Sequence, residues 1–191
     1  ERLGLEFQGV MQRHPHLVVA GITGYGSDGP ERDRAGYDVG AFWARSGVAD
    51  LFRVPGEPPL ALRGGFGDHV TAIATVAGIC GALVERGRTG RGRLVQTSLL
   101  GTGMYCIGWD LGIQLAFDKL RPTIARDATD NPMVNSYRAA DGAWFWLIGV
   151  EGDRHFPLLC EAIARPDLRD DPRFASPGLR RRHRRELVAE L

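Results

Sequence analysis

Leu17-Val18-Val19-Ala20-Gly21-Ile22 is an unbroken apolar run, and Thr23-Gly24-Tyr25-Gly26-Ser27-Asp28-Gly29-Pro30 follows it directly. An apolar run of that length reads as a strand buried on both faces, as strands of parallel sheets are. Three glycines and a proline in the next eight residues mark a loop. Upstream, Leu3, Leu5, Phe7, Val10 and Met11 have the spacing of a short helix over 3–13, ended by His14-Pro15-His16. Helix, buried strand and glycine loop in that order predict an α/β layer architecture. The end of such a strand is a common place for a ligand.

Downstream, residues 38–52 are expected to be helical, with Val39, Phe42, Trp43 and Val48 on one side. Loops at 55–59 and 64–67 precede the clearest helix, about 69–86. In it Val70, Ile73, Val76, Ala77, Cys80, Leu83 and Val84 form the apolar stripe that a helix turns toward a core. Asp68 stands at the N-cap position of this pattern and Gly87 at its C-cap. The turn Arg88–Gly92 leads into an alternating strand, Arg93–Ser98, and a helix over 99–118.

The texture then changes. Residues 121–134 are polar and read as a linker. Asn135–Ala140 and Ala143–Val150 flank Asp141-Gly142, a strong hairpin signal. A helix over 153–164, a loop over 166–177 and a helix over 178–191 complete the chain. The fold class is therefore α/β, with residues 1–120 in a large domain and 135–191 in a small α+β domain.

Composition narrows the function. Among 191 residues 43% are hydrophobic and 25% charged, enough to bury a core and stay soluble. A net charge of +1 gives no generic attraction to nucleic acid. Cys80, Cys106 and Cys160 are scattered, which argues against a disulfide framework or a zinc site and suits a reducing cytoplasm. The histidines lack HExxH spacing and the serines a GxSxG setting. Val70–Val84 is too short to span a bilayer and contains Thr71 and Thr75. Both ends read as interrupted helices, as in a partial chain. Arg180–Arg185 reads as a solvated helix face, and Trp144-Phe145-Trp146 as hairpin core.

Asp68, in Arg63-Gly64-Gly65-Phe66-Gly67-Asp68-His69, admits two compatible readings. One is a helix cap. The other is a nucleophile: a helix N-terminus keeps a carboxylate ionised, and neighbouring glycines let a thioester approach. The loop 24–29 could cradle phosphate through backbone N–H groups. It matches neither GxGxxG nor GxxxxGK[ST], and as a bare loop it is a turn.

Four blocks together resemble the family III CoA-transferases (the CaiB/BaiF, formyl-CoA transferase-like group). They are Ile22–Pro30 with Arg34–Asp38, Gly67-Asp68 opening an apolar helix, Arg88–Gly92 running into Val95–Leu100, and Asn131–Tyr137 before Asp141-Gly142. Their order and spacing extend over nearly the whole chain. The resemblance implies a Rossmann-like large domain, present in part, joined to the start of a small α+β domain, in interlocked homodimers. It implies that Asp68 attacks an acyl-CoA thioester to give an acyl-aspartyl anhydride and CoA thiolate, with a small carboxylic acid as acceptor. Ala35, Gly36, Tyr37 and Asp38 match a stretch lining the CoA site, where Tyr37 could pack on the ligand and Asp38 orient it. Coenzyme A thioester is then a substrate, with no tightly bound cofactor, no metal, no nucleic acid and no membrane partner.

Family members are about twice this long. The oxalate enzymes carry a glycine run where this chain has Asp127-Ala128-Thr129-Asp130, which argues against oxalate as substrate. The related α-methylacyl-CoA racemases have a histidine at the position of Tyr37. A tyrosine, with an ordinary pKa of about 10, is a poor base near neutrality, and His69 lies on the other side of the aspartate. Transfer therefore ranks above racemisation, with a non-catalytic fragment acting through protein contacts as the third reading.

Overall fold

In a computed structural model of the chain, residues 6–54, 56–60, 62–120 and 122–191 are described. Leu3 and Leu5 of the first expected helix, Pro55 of the second loop and Arg121 of the linker lie outside them. Contacts divide the chain into two units, Glu1–Thr123 and Ile124–Leu191, a boundary inside the polar segment 121–134.

The first unit contains α1 (Phe7–Arg13), β1 (Val19–Thr23), a π-helical segment (Asp38–Arg45), α2 (Val48–Leu51), α3 (Phe66–Thr89), β2 (Leu94–Ser98), α4 (Leu99–Cys106) and α5 (Gly108–Phe117). β1 and β2 pair in parallel, from Val19 opposite Leu94 to Thr23 opposite Ser98. The helix expected over 38–52 is split at Gly47, whose φ of 92° is left-handed. The one expected over 99–118 breaks at Ile107.

Helix α3 turns a different face inward from the one its apolar pattern predicts. Gly67, Thr71, Thr75 and Ala82 are buried, while Ile73, Val76, Leu83 and Val84 are exposed. Close approach to β2 decides this. A Cβ built on Gly78 would come within 2.6 Å of Val95, so only a bare backbone fits there. The Thr75 hydroxyl donates to the Thr71 carbonyl (2.8 Å), so the Thr97 hydroxyl must donate to Thr75 (2.6 Å). Small residues that allow contact therefore outweigh larger apolar ones.

The helix is also longer than expected and ends at Gly90 (φ 70°) instead of Gly87. With 24 residues and a mean hydropathy of 1.4 over its most apolar window, it is long and apolar enough to cross a bilayer, unlike the shorter stretch predicted from sequence. Its bonds to β2 make it a layer of the α/β unit.

In the second unit β3 (Val134–Arg138) and β4 (Trp144–Ile148) are antiparallel, from Val134 opposite Ile148 to Arg138 opposite Trp144. Gly142, at φ 87°, and the Asp141 carboxylate, accepting from the Ala143 N–H, form the turn. Four helices follow: α6 (Gly152–Ala162), α7 (Pro166–Asp170), α8 (Pro177–Arg182) and α9 (Arg184–Glu190). Met133, Phe156, Cys160, Leu168, Phe174 and Leu187 form the core.

Four expectations change here. The loop 166–177 contains α7, opened by Pro166 at the position that tolerates proline and anchored by buried Leu168. The last helix is broken at His183. Arg180 is not a solvated face residue. It is buried, donates to the Phe174 carbonyl and to Asp153 at 2.8 Å each, and lies over the Phe156 ring. Trp144, Phe145 and Trp146 are exposed, and the strand reaches the core through Leu147 instead.

Candidate active site

Asp68 lies in the first turn of α3, and it is not the N-cap. That position belongs to Gly65, at φ 86°, which places Phe66, Gly67 and Asp68 as the first three helical residues. The missing cap comes from 27 to 30 residues upstream. Asp38 Oδ2 accepts the Gly65 N–H at 2.9 Å and Asp38 Oδ1 accepts the Asp68 N–H at 3.1 Å. A glycine N-cap has no side chain to satisfy these donors, so a carboxylate from another segment replaces it.

Gly67 makes this approach possible. A Cβ there would lie 2.2 Å from Phe42 Cγ and 2.4 Å from Asp38 Oδ1. Asp38 is 7% exposed, at the start of the π-helical segment. The Asp68 side chain is exposed, and among the described residues none donates a hydrogen bond to its carboxylate.

A second close contact joins the glycine loop to the same place. A Cβ on Gly24 would stand 2.4 Å from the Gly36 Cα, and one on Gly36 2.3 Å from the Gly24 Cα. The two backbones touch, so the loop after β1 carries the segment Gly36-Tyr37-Asp38 directly. Gly24 is tied to α4 through its carbonyl, which accepts the Leu100 N–H at 2.9 Å. Glu31 binds Arg34 at 2.7 Å and Arg45 at 3.0 Å, linking the loop to the π-helical segment. Hydrogen bonding by Arg34, against desolvation and aided by Arg45, holds the Glu31 carboxyl below its ordinary range.

The structure thus connects the sequence-predicted residues through backbone contacts. Ala35, Gly36 and Tyr37 are exposed, Tyr37 at 75%. Asp38 points inward and uses both oxygens on α3. His69 turns back on its own helix, its Nδ1–H donating to the Gly65 carbonyl. At the C-terminal ends of β1 and β2 a cavity of about 130 Å³ is lined by Gly21, Thr23, Gly26, Ser27, Thr97 and Ser98. Phe42, Trp43, Phe52 and Phe66 form an aromatic group around the start of α3, with ring centroids 5.3 to 6.1 Å apart. Sequence reading missed the capping role of Asp38, because no fixed spacing announces a cap from so far away. Glycines at 24, 36, 65 and 67 were the available signal, since each marks a backbone that something must approach closely.

An exposed carboxylate on an ordered helix turn, reached past glycines, suits nucleophilic attack on an activated carbonyl. Comparisons with known proteins give the family. Residues 1–191 match the family described as CoA-transferase family III. A cinnamoyl-CoA:phenyllactate CoA-transferase of Clostridium sporogenes is 36% identical over 174 residues, covering 90% of this chain and 42% of that one. An (R)-2-hydroxy-4-methylpentanoate CoA-transferase of Clostridioides difficile is 29% identical over 188 residues, covering 98% and 47%. The crystal structure of a CaiB/BaiF family protein from Brucella suis aligns with a TM-score of 0.83 at 28% identity, over 99% of this chain and 49% of that one. The chain spans about half the length of these relatives. On the match over all its residues, the chain belongs to CoA-transferase family III.

Proposed function

We propose that the protein containing this chain transfers coenzyme A between an acyl-CoA and a free carboxylic acid, with Asp68 as nucleophile. The observation that carries this reading is the state of Asp68: its backbone is held by Asp38 while its carboxylate is exposed and accepts no hydrogen bond from the described residues. The relatives named above, CoA-transferases acting on hydroxy acids or cinnamoyl-CoA, support the substrate class.

In the first step an Asp68 carboxylate oxygen bonds to the thioester carbonyl carbon. The C–S bond breaks, and CoA leaves as the thiolate. The thiolate then attacks the aspartyl carbonyl of the anhydride, giving an aspartyl-CoA thioester and releasing the donor acid. The acceptor carboxylate enters by the same two exchanges in reverse. When the thiolate attacks the aspartyl carbonyl, the N-terminal end of α3 stabilises the oxyanion that forms on Asp68. Ala35, Gly36 and Tyr37 border the CoA, with Asp38 behind them. We assign the working protein to homodimers in the cytoplasm, on the family resemblance and on three unpaired cysteines that suit a reducing compartment.

Hydroxylamine added during turnover tests the reading. Attack on an activated aspartyl carbonyl leaves Asp68 as a hydroxamate, detectable by mass spectrometry of its peptide, and Asp68→Ala abolishes transfer. Retention of full transfer by Asp68→Ala refutes the assignment. Deuterium uptake at the substrate α-carbon in D2O, with no acceptor acid present, would move the protein to racemase chemistry.

A further inference from the structure

The Asp38 carboxylate does the work of both halves of a capping box. In that motif the N-cap side chain accepts the N–H of the third helical residue, and the side chain of that third residue reaches back to the N-cap N–H. Here the N-cap is Gly65, which has no side chain, and the third residue is Asp68. Asp38 takes the Asp68 N–H with one oxygen and the Gly65 N–H with the other. It therefore occupies the donor to which an acidic side chain at position 68 would otherwise turn.

We propose that Asp38 is a positioning residue that keeps the Asp68 carboxylate free of its own helix. The inference rests on the reading of Asp68 as nucleophile. A carboxylate that accepts a backbone N–H is stabilised in its ionised form and is correspondingly less reactive. Without Asp38, the Gly65 N–H lacks a partner, and the side chain that a capping box would bring to it is that of Asp68. Closing that box turns the nucleophile back onto the helix end and away from an incoming thioester. Asp38 exchanges no proton or electron pair in the reaction. Its two oxygens stay on the two backbone donors throughout. The glycine at 67 belongs to the same device, because any Cβ there would displace the Asp38 carboxylate.

The test uses the full chain with whatever flanking sequence its gene encodes. Parent, Asp38→Ala, Asp38→Asn and Val48→Ala are compared. Val48→Ala removes packing from the neighbouring apolar cluster without touching either carboxylate. The rate of Asp68 hydroxamate formation is measured with acyl-CoA and hydroxylamine, alongside CoA affinity by calorimetry and thermal stability. Asp38→Ala should slow modification about 10- to 100-fold, the scale on which misplacing a reacting group acts, with CoA affinity intact. Asp38→Asn should fall between parent and Asp38→Ala, since its amide offers one accepting oxygen to two donors. Val48→Ala should lose stability but keep the rate.

Modification at the parental rate in both Asp38 variants overturns the proposal. A rate that falls only in step with CoA affinity also overturns it and makes Asp38 a ligand contact. Equal slowing in Val48→Ala reduces its role to packing. No modification of Asp68 in the parent, with transfer retained by Asp68→Ala, refutes the nucleophile reading, and the proposal falls with it.

Discussion

The two units of this chain bury their apolar residues to different degrees. In the second, six large or apolar side chains, from α6, α7, α9, the residue before β3 and the loop after α7, close into one core, all at 2% exposure or less. In the first, the buried cluster is Ala41, Phe42, Val48 and Leu99, while Ile73, Val84, Tyr105, Trp109, Leu115 and Phe117 remain exposed. The second unit is organised around its own interior. The first is organised around close backbone contacts, Gly24 on Gly36, Gly67 on Asp38 and Gly78 on Val95, which place residues accurately and bury little apolar area. Burying a Leu or Val side chain is worth about 1.5–3 kcal/mol, and along α3 much of that stabilisation is unrealised in the chain itself.

The contrast can be broken most sharply at Phe174, which is fully buried and packs on Phe156. Phe174→Ala should cost about 3–5 kcal/mol, read by urea unfolding. A loss under 1 kcal/mol would show that this core is not closed in solution. At the other extreme, Ile73→Ala should change stability by no more than about 0.5 kcal/mol, as exposed substitutions do. A loss several times larger in the full chain would show that the α3 face is covered there.

The smallest effect is on thiol chemistry. Cys80 and Cys106 are exposed, and Cys160 is buried with its thiol pushed up by desolvation. A raised thiol pKa means less thiolate at a given pH, so Cys160 should react last. Two thiols should be modified by a disulfide reagent in the native protein and the third only on unfolding. Rapid modification of Cys160 would contradict the closed core. Protection of Cys80 would again report a covered α3.

Sequence reading succeeded where the cause was local. The apolar run at 17–22 gave a strand, though not one buried on both faces, Asp141-Gly142 gave a turn, and the apolar spacing after Asp68 gave a long helix. It erred where long-range contact decided the outcome. The apolar stripe of α3 pointed to a buried face, yet contact with β2 favoured Thr75 and Gly78, and contact with the π-helical segment favoured Gly67. Asp68 has a cap-like setting, but the cap is Asp38, and no spacing rule joins residues 30 apart. The arginine run looked uniform, yet the turn that breaks the helix at His183 and the carbonyl of Phe174 selected Arg180 for burial.

Helix α3 has one further property. At 1.5 Å per residue its 24 residues extend about 36 Å. Asp38 holds one end. Just beyond the other end the Gly92 N–H binds the Pro15 carbonyl, and the Gly92 Cα presses on the Leu17 carbonyl so closely that no side chain fits. The helix is thus a shaft seated in two bearings, with Asp68 beside one of them. Exposed side chains along the shaft, such as Ile73 and Val84, can be exchanged while it stays aligned. The glycines that form the bearings cannot be exchanged in the same way.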